Sequence, residues 1–180
     1  SWASLLFVDF NKNYFEIFGL PVDYAVDQEL LGDRFLDLQK QVHPDRFAAG
    51  TDQEKRLAVQ WATLVNTANE TLRTSLPRAI YILGLRGVEL EHNPTLPAAF
   101  LMDQIDLREQ LESIEEGEGN LEELDSFRQK MRQAINELQA KFQEALDEDT
   151  DKAERLVYEL QFLSKLMVSA NRLEEKLLDY

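Results

Sequence analysis

With 180 residues, 44% of them hydrophobic, and a net charge of −15, the chain can bury one core or two small ones and is too ordinary in composition for wholesale disorder. The charge argues against nucleic acid or an anionic membrane surface as the main partner, because both need a basic footprint. With no cysteine, disulfides, thiolate metal sites and cysteine nucleophiles are excluded.

Two histidines far apart speak against a zinc site, and no apolar run approaches the roughly 18 residues that span a bilayer. These features predict a protein of a soluble, reducing compartment, the cytoplasm, with no metal and no cofactor. The charge is lopsided: residues 1–90 hold 9 Lys and Arg against 12 Asp and Glu, whereas residues 91–180 hold 10 against 22.

The opening SWASLLFVDF is apolar but lacks the basic start and small-residue cleavage pattern of a signal peptide, so residues 1–13 read as an extension or a cloning remnant. Next, Tyr14, Phe15, Ile17 and Phe18 fall in one or two helical turns closed by Gly19 and Pro21. Such a short, mostly hydrophobic helix must pack on something larger. Asp27 is a predicted N-cap for a second helix, in which Leu31, Phe35, Leu38 and Val42 recur at helical spacing and define one buried face. That helix runs into His43-Pro44-Asp45 and stops, because proline disfavours helical backbone in the residue before it and has no amide proton. Arg34 and Lys40 are read on its opposite face, with Arg46 just past the tripeptide. After a polar loop, Thr51 and Glu54 form a capping box for a third helix whose inner face is Leu57, Trp61, Leu64, Val65, Ala68 and Leu72. Two long helices joined by so short a loop are expected to be antiparallel neighbours, with the tripeptide at one end.

Residues 76–87 read as another short helix, entered at Pro77 and closed by glycine. VELEHNPTLP has two prolines and no periodicity, and reads as a connection between domains. Three helices follow. Phe100, Leu107, Leu111 and Ile114 form the stripe of the first, which breaks at GEGN (117–120). Leu121, Leu124, Phe127, Met131, Ile135, Leu138, Phe142 and Leu146 run along the second. DEDTD (147–151) separates it from the third, marked by Leu156, Leu160, Leu163, Met167, Ala170 and Leu177. The predicted fold class is all-α, ending in a three-helix bundle.

On residues alone, His43-Pro44-Asp45 is either a chance helix stop or a stiffened docking loop. Its placement, after a short aromatic helix, at the end of an amphipathic helix and between two long ones, resembles the J-domain family, whose members stimulate ATP hydrolysis by DnaK-class chaperones. The resemblance covers residues 14 to about 84. It implies that His43, Pro44 and Asp45 engage the chaperone's ATPase domain while Arg34, Lys40 and Arg46 meet an acidic surface. Gln39 and Gln41 flank Lys40 where many members carry more positive charge.

The first bundle helix has a second peculiarity. At about 100° per residue, Leu101, Met102, Ile105, Asp106 and Glu109 gather opposite its core stripe, and on the last helix Phe162 falls outside the main stripe. Either these residues widen a core or pack on the first domain, or they await a partner. FLMDQIDLRE and the terminal LEEKLLDY, behind a J-domain, resemble the family of J-domain co-chaperones of bacterial iron-sulfur cluster assembly. That resemblance implies that the bundle binds the cluster scaffold IscU through Leu101, Met102, Ile105, Asp106, Glu109 and Phe162, and that the J-domain brings it to the chaperone HscA. Ser113 stands where a further acid is expected. The implied organisation is an extension over 1–13, a J-domain over 14–84, a linker over 85–97 and a bundle over 98–180.

The reading is a non-enzymatic adaptor: no Gly-rich phosphate loop is present. One alternative keeps the J-domain and gives the bundle a different client. Another makes His43 and Asp45 an acid-base pair of a hydrolase, which needs a pocket that a loop tip does not offer.

Overall fold

The computed structural model describes residues 10–117 and 120–179. The regular elements among them are helical: α1 (Tyr14–Ile17), α2 (Gln28–Val42), a 3-10 turn (Pro44–Phe47), α3 (Asp52–Arg73), α4 (Ser75–Leu85), α5 (Ala98–Glu116), α6 (Leu121–Glu148) and α7 (Thr150–Leu178). The all-α class expected from periodicity is the class found. Most of the expected N-terminal extension, and residues 118–119 of the GEGN break, lie outside the described residues. Two compact units divide the chain, one ending at Leu85 and the other beginning at Arg86.

In the first unit, local signals start α2 and α3 where the residue types predict, and Asn13 does the same for α1. Side chains of Asn13, Asp27 and Thr51 accept from the amides of Glu16, Leu30 and Glu54 at 2.9, 3.0 and 3.2 Å, each satisfying an amide that has no partner in the first helical turn. The short α1 holds its place through burial: Phe15 and Phe18 are fully buried, worth about 1.5–3 kcal/mol each against exposure. The Tyr14 and Tyr81 rings stack at 4.3 Å, and the Tyr81 hydroxyl accepts from the Tyr14 amide at 2.9 Å.

Gly19 ends α1 at φ +63°, a conformation that disfavours side chains. A Cβ there would also lie 2.6 Å from Arg34 Nη1, which donates to the Phe18 carbonyl at 2.8 Å. Leu31 and Val42 of α2 are buried and Phe35 and Leu38 half-buried, facing Trp61, Val65, Ala68 and Leu72 of α3. A single extended residue, Thr74, separates α3 from α4. The latter begins at Ser75, two residues before the expected proline; Pro77 is accommodated because first-turn amides need no intrahelical acceptor.

Arg78 went unnoticed in the sequence. It is buried, donates from Nε to the Tyr24 carbonyl at 2.6 Å and from Nη1 to the Leu72 carbonyl at 2.7 Å, and stacks over the Tyr24 ring. One side chain thus ties the loop before α2 to the last turn of α3. Burial of the Tyr24 hydroxyl pushes its pKa up, partly opposed by the neighbouring Arg78.

In the second unit α6 and α7 form a long antiparallel hairpin turned at Asp149, which closes α6 and caps α7 by accepting from the Lys152 amide at 3.1 Å. The stripes interlock as their spacing predicts, with Leu124, Met131, Phe142 and Ala170 essentially inaccessible, and Val157, outside the predicted stripe, is buried with them. Leu121, placed at the head of the α6 stripe by its spacing, is instead exposed. With 19 residues against 28 for α6, α5 is about 28 Å long and cannot cover a hairpin of about 42 Å. It packs at the end of the hairpin away from Asp149, where Ile114, Leu124, Phe127, Leu163, Leu166 and Leu173 share a core. Near the turn, the segment before α5 docks instead: Arg86 donates to the Leu146 carbonyl and pairs with Asp147 at 2.9 Å, and the Glu91 amide donates to the Tyr158 hydroxyl at 2.9 Å. The segment from Arg86 to Glu91 is therefore held on the bundle.

Candidate functional site

Both exposed features singled out in the sequence are built entirely within their own units. At the loop tip, His43 takes the extended backbone demanded by Pro44, with φ −57° and ψ 130°. Its Nδ1 accepts from the Asp45 amide at 3.2 Å. An accepting Nδ1 puts the proton of the neutral ring on Nε2. The Asp45 carboxylate lies 3.7 Å from Nδ1, too far for a hydrogen bond, and we take the amide contact as the one that orients the ring. A 3-10 turn closes over the tripeptide with the Arg46 amide on the His43 carbonyl at 3.0 Å, and buried Phe47 anchors it to α3. What remains outward is a ring N–H donor and a carboxylate whose side chain is 92% exposed. Two groups of opposite hydrogen-bonding sense are presented on backbone that is already ordered.

The three expected cations are not one cluster. Arg34 and Lys40 are six residues apart and so about 120° apart around the helix. Both are exposed, and Lys40 lies opposite the core as expected; the assignment of Arg34 to that same face is corrected, because it flanks the core and donates to the end of α1. Arg46 folds back so that Nη1 donates to the Lys40 carbonyl at 3.3 Å, placing its charge at the C-terminal end of α2, where the helix dipole favours a cation. Lys40 and Arg46 are thus the pair beside the tripeptide.

On the bundle, Leu101, Met102 and Ile105 are 44%, 65% and 56% exposed, and Asp106 and Glu109 are exposed beside them. Phe162 does not join this face. It is buried in the core, edge-on to Phe100 at 6.2 Å, with the Arg108 guanidinium over its ring at 5.4 Å. The six-residue stripe missed it because α5 packs on α7 there and widens the core by one position. Beneath the first half of α5 is a cavity of about 210 Å³ lined by Phe100, Asp103, Leu107, Lys141, Glu159 and Phe162. Burial pushes the Glu159 carboxyl up, with Lys141 pulling it down and Asp103 adding to the rise. Ser113 is exposed on α5.

Among the described residues no helix is long and apolar enough to cross a membrane. No group of three or more His, Cys, Asp or Glu side chains among them could hold a metal ion.

A stiffened His-Pro-Asp loop at the tip of an antiparallel helix pair, in a chain whose other unit is an acidic helical bundle, defines a J-type co-chaperone. Residues 96–171 match the family described as the HSCB C-terminal oligomerisation domain. Among solved structures, the chaperone HscB from Vibrio cholerae is 36% identical with a TM-score of 0.84, over 92% of this chain and 99% of that one. Human co-chaperone protein HscB, at 24% identity and a TM-score of 0.85, covers 92% of this chain and 83% of its own. The Jac1 co-chaperone of Saccharomyces cerevisiae, at 21% and 0.71, covers 92% and 95%. These last two share the fold. The chain belongs to the HscB family.

Proposed function

We propose that this co-chaperone binds the iron-sulfur scaffold IscU through its bundle and delivers it to the DnaK-class chaperone HscA, whose ATPase its His-Pro-Asp loop stimulates. The reading is supported above all by two exposed sites of unlike chemistry, each complete within its own unit: a polar, backbone-stiffened loop and an apolar helix face edged by carboxylates.

The J-domain extends over residues 14–84, followed by a connecting segment over 85–97 and the scaffold-binding bundle over 98–180. His43 Nε2–H and the Asp45 carboxylate engage a donor-acceptor pair on HscA, where a partner arginine gives Asp45 a charge-assisted bond. Pro44 keeps the loop ordered before contact, while Lys40 and Arg46, with Arg34 further along, steer approach to an acidic surface. Leu101, Met102 and Ile105 supply apolar contact to IscU, and Asp106 and Glu109 flank it. Phe162 acts from beneath by fixing Phe100 and Arg108.

The protein is itself no enzyme and works in the cytoplasm. It raises turnover in HscA by binding one conformational state better than another. HscA ATPase rates measured with and without IscU and this protein test the scheme. Stimulation by the protein, more than additive with IscU, is expected, and His43→Gln reduces it by about tenfold or more, a loss of about 1.4 kcal/mol at the least. Wild-type protein that leaves the rate unchanged, or His43→Gln that stimulates as well, sinks the assignment. For the bundle, Leu101→Ala with Met102→Ala is expected to weaken capture of IscU, and unchanged capture points to a different client.

A further inference from the structure

Arg108 is exposed on α5, one turn before the equally exposed Glu112. That spacing permits an ion pair along the helix, yet Arg108 lays its guanidinium over the ring of Phe162 on α7, at 5.4 Å. Three residues after Phe162 stands Lys165, also exposed. Residues 162, 165, 169, 172 and 176 follow at intervals of three or four and so share one side of α7. Lys176, at the far end of that side, reaches Glu115 of α5 at 3.5 Å. The contacts of Arg108 with Phe162 and of Glu115 with Lys176 therefore lay this side of α7 along one edge of α5, with Lys165 between them. Among the described residues neither Arg108 nor Lys165 has an ion-pair partner, in a half of the chain that holds 10 Lys and Arg against 22 Asp and Glu.

The other edge of α5 has the opposite sign. At about 100° per residue, a path round the exposed side of α5 from α7 towards α6 meets Arg108, Leu101, Ile105, Glu109, Met102 and Asp106 in that order. Gln110, one turn past Asp106, accepts from Lys130 of α6 at 3.4 Å, which sets that edge against α6. The apolar face is thus bounded by two cations along α7 and by carboxylates towards α6. A purely apolar patch accepts a partner turned half a circle about the patch normal. A patch with unlike edges does not, because the turn brings like charges together. A guanidinium laid over a ring is also already oriented, and it keeps its planar N–H fork for a carboxylate.

We infer that Arg108 and Lys165 form a cationic edge that takes a carboxylate of IscU, and that with Asp106 at the other edge they fix the direction in which the scaffold sits across α5. The edge is continuous with the apolar face at Leu101, so one partner covers both. This inference rests on the proposed capture of IscU by the bundle, and adds the orientation of the seated scaffold.

The test uses the full chain with purified IscU. Lys165→Gln is expected to lower the affinity about threefold, in the range of an exposed ion pair, and Arg108→Glu with Lys165→Glu about tenfold or more. Both losses are expected to shrink as salt is raised, because screening removes the attraction in wild type. Circular dichroism establishes that each variant is folded. Arg108 also covers Phe162, so Lys165→Gln, which gives up no ion pair within the protein, carries the test if the double variant unfolds. Carbodiimide coupling, which joins an amine to a carboxylate with loss of water, is read by mass spectrometry. It is expected to link Lys165 to an Asp or Glu of IscU and Asp106 to a lysine of IscU.

Variants that capture IscU as tightly as wild type, or coupling in which Lys165 never reaches an IscU carboxylate, overturn the cationic edge while leaving capture through Leu101 and Met102 standing. Links from Lys165 to a second copy of this protein, formed equally without IscU, put that copy at the edge and overturn it too. Failure of the wild-type protein to capture IscU at all overturns both readings.

Discussion

The loop tip of the first unit and the outer face of α5 in the second solve the problem of presenting a surface in opposite ways. At the tip, three consecutive residues carry the chemistry, and the backbone around them is tied down by the Asp45 amide on His43, a 3-10 turn and buried Phe47. On α5 the residues are spread over two and a half turns, and the helix itself supplies the order, so each side chain can change without moving its neighbours. The same contrast runs through the interiors: the first unit relies on a buried guanidinium bonded to two carbonyls, the second on interlocked apolar stripes. A short motif depends on its local surroundings for geometry, whereas a helical face needs only a helix that stays seated.

Substitutions can break that comparison at graded strength. Leu124→Ala empties a fully buried site at the seat of α5 and is expected to cost the bundle about 3 kcal/mol in a denaturant titration. Leu101→Ala, on the exposed side of the same helix, is expected to change stability by less than about 0.5 kcal/mol while weakening scaffold capture. If both cost alike, α5 is not the free face described. In the first unit, Arg78→Leu leaves the Tyr24 and Leu72 carbonyls without their donor and is expected to cost about 2–3 kcal/mol, read in the unfolding of that unit; a neutral result would show that apolar packing replaces the guanidinium. Asp27→Ala removes the cap of α2 and is expected to cost about 1 kcal/mol, with thermal unfolding as the readout.

The smallest effect sharpens the contrast on the bundle side. Glu159 binds its proton more tightly folded than unfolded, so its contribution is favourable when it is protonated and is lost as pH rises from about 4.5 through its folded pKa. Glu159→Gln is therefore expected to raise the bundle's melting temperature slightly at neutral pH and to flatten its pH dependence just above 4.5. A variant melt that keeps the wild-type slope there would rule Glu159 out as its source.

Much of this was legible residue by residue. The caps at Asp27 and Thr51, the stop at His43-Pro44, the turn at Gly19 and the three bundle stripes depend on groups within a few residues of each other, so local chemistry determines them. The exposed set from Leu101 to Glu109 was readable for the same reason, since one helix has only one side opposite its core. Longer-range choices were not. Phe162 falls off its stripe in sequence yet is buried, because the packing of α5 on α7 decides which residues share an interior. Arg34 looks like another surface cation until α1 offers it a carbonyl, and Arg78 looks like an ordinary helix residue until two loop and helix carbonyls converge on it. The sequence by itself determined the helices, their caps and the His-Pro-Asp loop, because these rest on backbone sterics and nearby hydrogen bonds. Only the tertiary structure decided which charged and aromatic side chains were spent inside, because that outcome depends on where separate helices meet.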